Sequence, residues 1–290
     1  MNTLYRVGVD GGGTSTRARI VRADGSLLGE GRAGASGLGQ GIAQAWRNIE
    51  LAIARAAQGI AGTAMASRDV LQRCPLGIGV AGANNADWRA EFMAANPGFR
   101  QLVVDSDVYT ALLGAHAGRP GAVVIAGTGS IAHALQANGS RKTAGGWGFP
   151  SGDEGSGSAL GLRAVNLTQQ ALDGRAQASD LTRAVLQATG GTAASLLAWC
   201  CTAAQFEYAA LAPLVFDCES TDERAAQLLR DAVQTIESLA RTVDPGGALP
   251  LAVRGSIAQR LQPRLCPAVQ SRVVQSTGDA MDGALLLCQP

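Results

Sequence analysis

Apolar and polar positions along the first third of the chain predict strands and helices in turn. Tyr5 to Asp10 is a short apolar run that stops at a glycine turn, as a buried strand does. Thr16 to Arg22 alternates polar and apolar residues, the pattern of a half-buried second strand. Asp24-Gly25 is a hairpin-turn pair that returns the chain along Ser26 to Gly31. From Ile42 to Gln58, Ala45, Ile49, Ala52, Ile53 and Ala56 recur at helical spacing. Leu76 to Ala81 and Gln101 to Asp105 read as further buried strands, with helices expected over Asp87 to Ala95 and Val108 to Ala117. Together these predict an α/β domain with a mixed sheet.

The pattern then restarts. A strand is expected at Ala122 to Ala126, and VGVDGGGTSTRARIVRADG and VVIAGTGSIAHALQANG share one layout. Each is an apolar strand, a Gly-rich turn with a hydroxyl, an alternating strand, and a DG or NG turn, so Gly11 corresponds to Gly127. Two such half-repeats predict two related domains facing one another. The remainder reads as mainly helical: Glu154 to Leu172, Asp180 to Thr189, Thr202 to Phe216 and Thr221 to Val243. Leu249 to Val253 is a strand before Gly255-Ser256, Arg272 to Gln275 is another candidate strand, and Asp279 to Cys288 is a final helix. The boundary is expected as a tight hinge near Arg119-Pro120-Gly121.

Length and composition narrow the classes. With 290 residues, 47% hydrophobic and 16% charged, the chain has material for two packed cores. A formal charge of +1 gives no general electrostatic reason to bind nucleic acid or an anionic membrane. The N-terminal stretch lacks an apolar core of signal-peptide type, and no run approaches the ~20 apolar residues of a membrane span. The six cysteines contain no CxxC pair and the histidines are two, so a reduced, cytoplasmic protein is expected, with neither a disulfide framework nor a His-based metal site. The 38 glycines fall in clusters, which points to loops where backbone approaches a ligand.

Four constellations carry candidate chemistry. Asp10, Gly11, Gly12, Gly13 and Thr14 follow a strand. Main-chain N–H groups of such a turn cradle an anion, Thr14 adds a hydroxyl, and Asp10 can hold a hydrated divalent cation bridging phosphates. The alternative is an ordinary hairpin turn. It is neither a Walker loop, which needs GK[ST], nor a dinucleotide fingerprint, which opens a helix. Gly127, Thr128, Gly129 and Ser130 form a second loop of the same kind, and two opposed glycine hairpins can clamp a triphosphate. Asp107 follows a strand and opens a helix, where a carboxylate can accept a proton from an attacking hydroxyl. Its alternative is a helix cap by Ser106 or Asp107, and Asp105 competes for the same role. Finally, the run Gly145 to Ser156 holds Gly145, Gly146, Trp147, Asp153 and Glu154, a loop suited to a sugar. Capping by Asp153 beside a packed Trp147 is its alternative reading.

The four together resemble the acetate- and sugar-kinase, chaperone and actin superfamily over nearly the whole chain. Within it the chain is similar to the N-acetylglucosamine kinase branch, grouped with the BadF/BadG/BcrA/BcrD ATPases. The resemblance implies two ribonuclease H-like domains with a nucleotide cleft between them. They span 1–118 and 119–277, with a helix at about 278–290 packing back on the first. It implies that Asp10 to Thr14 and Gly127 to Ser130 bind the phosphates of ATP, that Gly255-Ser256 meets the adenosine, and that Mg2+ is held through water by Asp10. It also implies Asp107 as the catalytic base. Sugar contacts would come from Asp107, Thr128, Gly145, Gly146, Trp147, Asp153, Glu154 and the loop Gly34 to Gly39. That loop carries Ser36 and lacks the family's usual Asn. The implied activity is phosphorylation of an amino sugar at O6, N-acetylglucosamine ahead of glucosamine, by a homodimer.

Two rivals stand beside it. An ATPase activator of a dehydratase or benzoyl-CoA-type reductase would need closely placed cluster cysteines, an arrangement these six do not have. A non-catalytic nucleotide-dependent sugar sensor would not need the full motif set. A repressor form would carry a DNA-binding segment ahead of the first strand, where this chain has Met1 to Leu4.

Overall fold

The computed structural model describes residues 5–58 and 72–289. Met1 to Leu4, on which the repressor comparison rests, lie outside the described residues. The chain divides into two compact units: Met1–Gly121 with Gln275–Pro290, and Ala122–Val274.

The first unit is built on a five-stranded sheet. Its strands are β1 (Tyr5–Gly11), β2 (Thr16–Arg22), β3 (Leu27–Ala33), β4 (Pro75–Val80) and β5 (Gln101–Ser106), in the order β3-β2-β1-β4-β5. The β1–β2 and β2–β3 pairs are antiparallel, while β4 pairs parallel with both β1 and β5. Alternation along β1 and β4 separates the two faces. Val7, Val9, Leu76, Ile78 and Val80 are fully buried and join one core with helix α1 (Ile42–Gln58). Trp46 of α1 stacks on Phe92 of α2 (Ala86–Ala94) with ring centroids 4.2 Å apart, and its Nε1 donates to the Phe92 carbonyl. The intervening positions of these strands are glycines, and they face two other helices. A Cβ at Gly79 would lie 1.9 Å from Thr110 Oγ1 of α3 (Asp107–His116), and one at Gly77 would lie 1.8 Å from the Ala284 carbonyl of the final helix, Ala280–Leu287. α3 and the final helix also cross backbone to backbone: a Cβ at Gly283 would sit 1.8 Å from the Thr110 carbonyl. Glycine on one face of the strands thus sets how deep these helices pack.

The second unit holds β6 (Gly121–Ala126), β7 (Ser130–Leu135), β8 (Arg141–Gly145) and β9 (Leu251–Arg254), in the order β8-β7-β6-β9. The β6–β9 pair is parallel and the β7–β8 pair antiparallel. Helices α4 (Gly157–Leu172), α5 (Asp180–Ala188), α6 (Ala193–Thr202), α7 (Gln205–Ala210), α8 (Ala212–Asp217), α9 (Glu223–Val243), α10 (Ser256–Leu261) and α11 (Pro267–Gln270) complete it. The final helix is α12. Leu160, Leu229, Ile236 and Val124 are among the residues of one buried cluster in this unit.

Several expectations change. The helix expected over Thr202 to Phe216 is two helices, because Pro213 stands in the first turn of α8, which a proline tolerates, whereas a helix interior does not. α4 starts at Gly157 rather than Glu154. Asp153 and Gly155 have φ of +62° and +76°, outside helical space, and Ser156 is the cap, accepting from the Ala159 N–H. Arg272 to Gln275 is not a strand but a single bridge from Val273 to Leu251. β8, α6, α10 and α11 lie outside the elements that the sequence pattern predicts.

Candidate active site

In the first unit the β1–β2 hairpin forms the first glycine loop. The Gly12 N–H donates to the Ser15 carbonyl at 2.9 Å, closing the turn and leaving Gly13 and Thr14 exposed. Ser36 supports it from below. Its N–H donates to the Gly12 carbonyl at 3.0 Å, and its hydroxyl accepts from Thr16 Oγ1 at 2.8 Å. Ser36 is fully buried. A hydroxyl so enclosed is a brace for the loop rather than the sugar contact expected of it.

Asp10 is the penultimate residue of β1 and stands opposite Arg17 in the antiparallel ladder. Arg17 donates to Asp10 Oδ2 through Nη2 at 2.7 Å and Nε at 3.2 Å, and its Nη1 reaches Asp279 Oδ2 at 3.3 Å. Arg19, two residues on, bonds Glu30, Asp279 and Asp282. This cationic pair belongs to no recognisable motif, although Arg17 and Arg19 point to one face of β2 by strand alternation.

Asp107 opens α3, but the cap is Ser106, whose Oγ accepts from the Tyr109 N–H at 3.3 Å. That settles the capping alternative and leaves the Asp107 carboxyl with a local bond from the Val108 N–H at 2.9 Å. Asp105 Oδ1 instead accepts from the Ser106 N–H at 2.7 Å. Burial pushes the Asp107 carboxyl up to about 6, the negative charge of Asp10 adds to that, and the main-chain bonds pull the other way. Such a group is ionised at neutral pH and is a stronger base than an ordinary carboxylate.

In the second unit Gly127 to Ser130 join β6 to β7. The Gly127 N–H donates to the Gly129 carbonyl, while the Gly127 and Thr128 carbonyls accept from Gly157 and Ser158 in the first turn of α4, at 2.8 and 3.1 Å. That turn of α4 therefore braces the loop. The Ser130 hydroxyl donates to the Glu154 carbonyl at 2.7 Å and the Ser130 N–H to Asp153 Oδ1 at 3.1 Å. Gln205 Nε2 donates to Asp153 Oδ2 at 2.7 Å. Asp153 is 5% exposed, and a Cβ at Gly129 would lie 2.8 Å from its Oδ2. Burial pushes the Asp153 carboxyl up, Glu154 adds to this, and the Ser130 and Gln205 bonds oppose it. Glu154 itself is exposed. Gln205 comes from a remote helix and had no signal in the sequence.

Gly145 and Gly146 both have φ of +73°, which suits glycine alone at low cost. Trp147 beside them is 86% exposed, so the packed alternative does not hold. Gly255, at φ +86°, passes so near the end of β6 that a Cβ would be 2.3 Å from the Ala126 carbonyl. This brings it beside Gly127, with Ser256 exposed at the head of α10. Each unit thus presents one braced glycine loop after its first strand. Among the described residues no group of three or more His, Cys, Asp or Glu is arranged to hold a metal ion.

A protein-family model for the BadF/BadG/BcrA/BcrD ATPase family matches residues 7–281. A curated protein of Vibrio cholerae, named glucosamine kinase, is 36% identical over 284 residues, covering 97% of this chain and 95% of that one. A solved structure from Chromobacterium violaceum, provisionally named an N-acetylglucosamine kinase, is 46% identical with a TM-score of 0.93 over 98% of this chain and 99% of that one. A ROK-family glucokinase from Streptomyces griseus, solved with glucose and AMPPNP, shares the fold at 15% identity and a TM-score of 0.52, covering 98% of each chain. The motif resemblance and the family match agree over almost all of the sequence: the chain belongs to the BadF/BadG/BcrA/BcrD ATPase family.

Proposed function

We propose that this chain is an ATP-dependent amino-sugar kinase that transfers the γ-phosphoryl group of ATP to the 6-hydroxyl of its substrate. The observation that carries the reading is Asp107: a carboxylate at the head of a helix whose cap is Ser106, pushed up to about 6 by burial, in the unit that carries the Asp10 to Thr14 loop. In the proposed mechanism it orients the acceptor hydroxyl and takes its proton as the bond to phosphorus forms. N–H groups of Gly13, Thr14, Thr128 and Gly129 would neutralise phosphate oxygens, with the Gly12, Gly127 and Ser130 N–H groups holding the loops in shape, and Gly255 and Ser256 would lie along the adenosine. Mg2+ usually keeps several waters and takes few protein carboxylates. Asp10 fits that: Oδ2 is committed to Arg17, and Oδ1 is the oxygen that would hold the hydrated ion. When bound, Mg2+ supplies charge neutralisation between the phosphates.

Gly145, Gly146, Trp147 and Glu154 are the proposed sugar contacts. With Asp153 enclosed, Glu154 is the carboxylate of that loop that faces solvent. An exposed carboxylate suits an ammonium group. The named activity of the full-length Vibrio cholerae relative points the same way, so glucosamine moves ahead of the N-acetylglucosamine that the motifs alone put first. The test is a coupled ADP-release assay with identification of the phosphorylated product. The expected order of kcat/KM is glucosamine, then N-acetylglucosamine, then glucose. Glucose leading would sink the amino-sugar assignment, and ADP release without a sugar phosphate would sink the kinase.

A further inference from the structure

Asp153 sits where three segments of the second unit meet. Its Oδ1 takes the N–H of Ser130, at the end of the second glycine loop. Its Oδ2 takes the amide of Gln205, in the first turn of α7. Its own backbone, at φ +62°, turns the loop Gly145 to Ser156 toward α4. The carboxylate fills the space where a side chain on Gly129 would be. A group held this way fixes two loops at once.

We propose that Gln205 is a positioning residue. Its amide clamps Asp153, and Asp153 in turn holds the Ser130 N–H and the Gly145 to Ser156 loop in one arrangement. This rests on the kinase reading for its effect on turnover, but not for its effect on the loops. A buried carboxylate bonded from two sides is rigid, whereas one that loses a donor either takes a proton or draws in water. The groups facing Asp153 are the Ser130 N–H from β7, the Gln205 amide from α7, Gly129, and the neighbouring carboxylate of Glu154.

The test uses the full chain with Gln205→Ala and Gln205→Glu. Hydrogen exchange at the Ser130 amide should accelerate roughly tenfold in Gln205→Ala, the order expected for loss of a hydrogen bond to a charged group. KM for the sugar should rise several-fold, with kcat changed far less. Gln205→Glu places a second acid against Asp153. It should resemble wild type at the acid end of its stable pH range, where the pair shares a proton, and resemble Gln205→Ala at the alkaline end, where both ionise and repel. That reversible comparison within one variant remains decisive if Gln205→Ala folds poorly. Unchanged Ser130 exchange in Gln205→Ala, or Gln205→Glu insensitive to pH, overturns the clamp. Faster exchange with an unchanged sugar KM overturns its role in the site. If the wild type phosphorylates no sugar, the kinase reading fails, and Ser130 exchange still decides the clamp.

Discussion

Arg17 Nη2 lies 2.7 Å from Asp10 Oδ2, across the rung of the β1–β2 ladder next to the first glycine loop. Asp10 is thereby held in one rotamer, with its charge partly balanced before any nucleotide arrives. Both side chains keep some exposure, so the pair itself adds little to stability. Its value lies in where it points the carboxylate.

Removing Arg17 should therefore act on nucleotide use more than on folding. Arg17→Met is expected to raise KM for Mg-ATP by roughly tenfold, the cost of about one charge-assisted hydrogen bond. Arg17→Lys should recover part of that loss. Steady-state titrations at saturating sugar, with Tm measured alongside, check this. A large fall in Tm with an unchanged KM would make Arg17 a fold residue only.

Asp107→Asn is expected to lower kcat by ~100- to 10,000-fold while sugar affinity holds. Since the wild-type carboxyl is pushed up to about 6, kcat should fall as pH drops below that value. The stability effect has the opposite sense. The neutral acid contributes stability that is complete below the ordinary carboxyl value of 3.8 and lost as pH rises through about 6. Asp107→Asn should therefore match or exceed the wild-type Tm at pH 7 to 8. Near-wild-type turnover in that variant would transfer the role to Asp105.

Gly129→Ala and Gly127→Ala make a matched pair. The added Cβ at Gly129 meets the Asp153 carboxylate, whereas at Gly127 the nearest atom is Gly255 Cα, 3.9 Å away. Gly129→Ala should cost about 1–3 kcal/mol through overpacking against a buried charge. Gly127→Ala should leave the fold intact. Chemical denaturation of both variants tests the difference, and equal stability would mean that Asp153 can move aside.

Trp147 should report on the sugar. Being 86% exposed, it is expected to tolerate Trp147→Ala with a stability change within about 0.5 kcal/mol. Sugar KM should nonetheless rise, and sugar-induced change in tryptophan fluorescence should disappear. An unchanged KM removes Trp147 from the sugar site.

What could be read from the sequence was local. The Ile42 to Gln58 helix follows from its apolar period and is found with those bounds. The two glycine hairpins were visible because strand, turn and strand are contiguous. What stayed hidden needed distant partners. Gln205 meets Asp153 only after several helices have packed, and Ser36 looked like a loop hydroxyl until Thr16 was seen to enclose it. α6, with the run AASLLAWCCT, is apolar on most sides and so has no period to detect. The glycines of β4 were legible as a buried strand, but not as the seat of two helices.

The Gly114–Gly283 crossing has a consequence for synthesis. A Cβ at Gly114 would lie 1.8 Å from the Asp279 carbonyl, so α3 is shaped to receive α12 at backbone distance. Yet α12 is made only after the whole of residues 122–274. On the ribosome the first unit must wait, its glycine-lined face uncovered, while the second is produced and can fold behind it. Synthesis of α12, not emergence of the first sheet, is then the step that completes the fold of the first unit. Nonsense or frameshift changes just ahead of Ala280 would leave that early-made sheet unfinished, although every one of its strands is present.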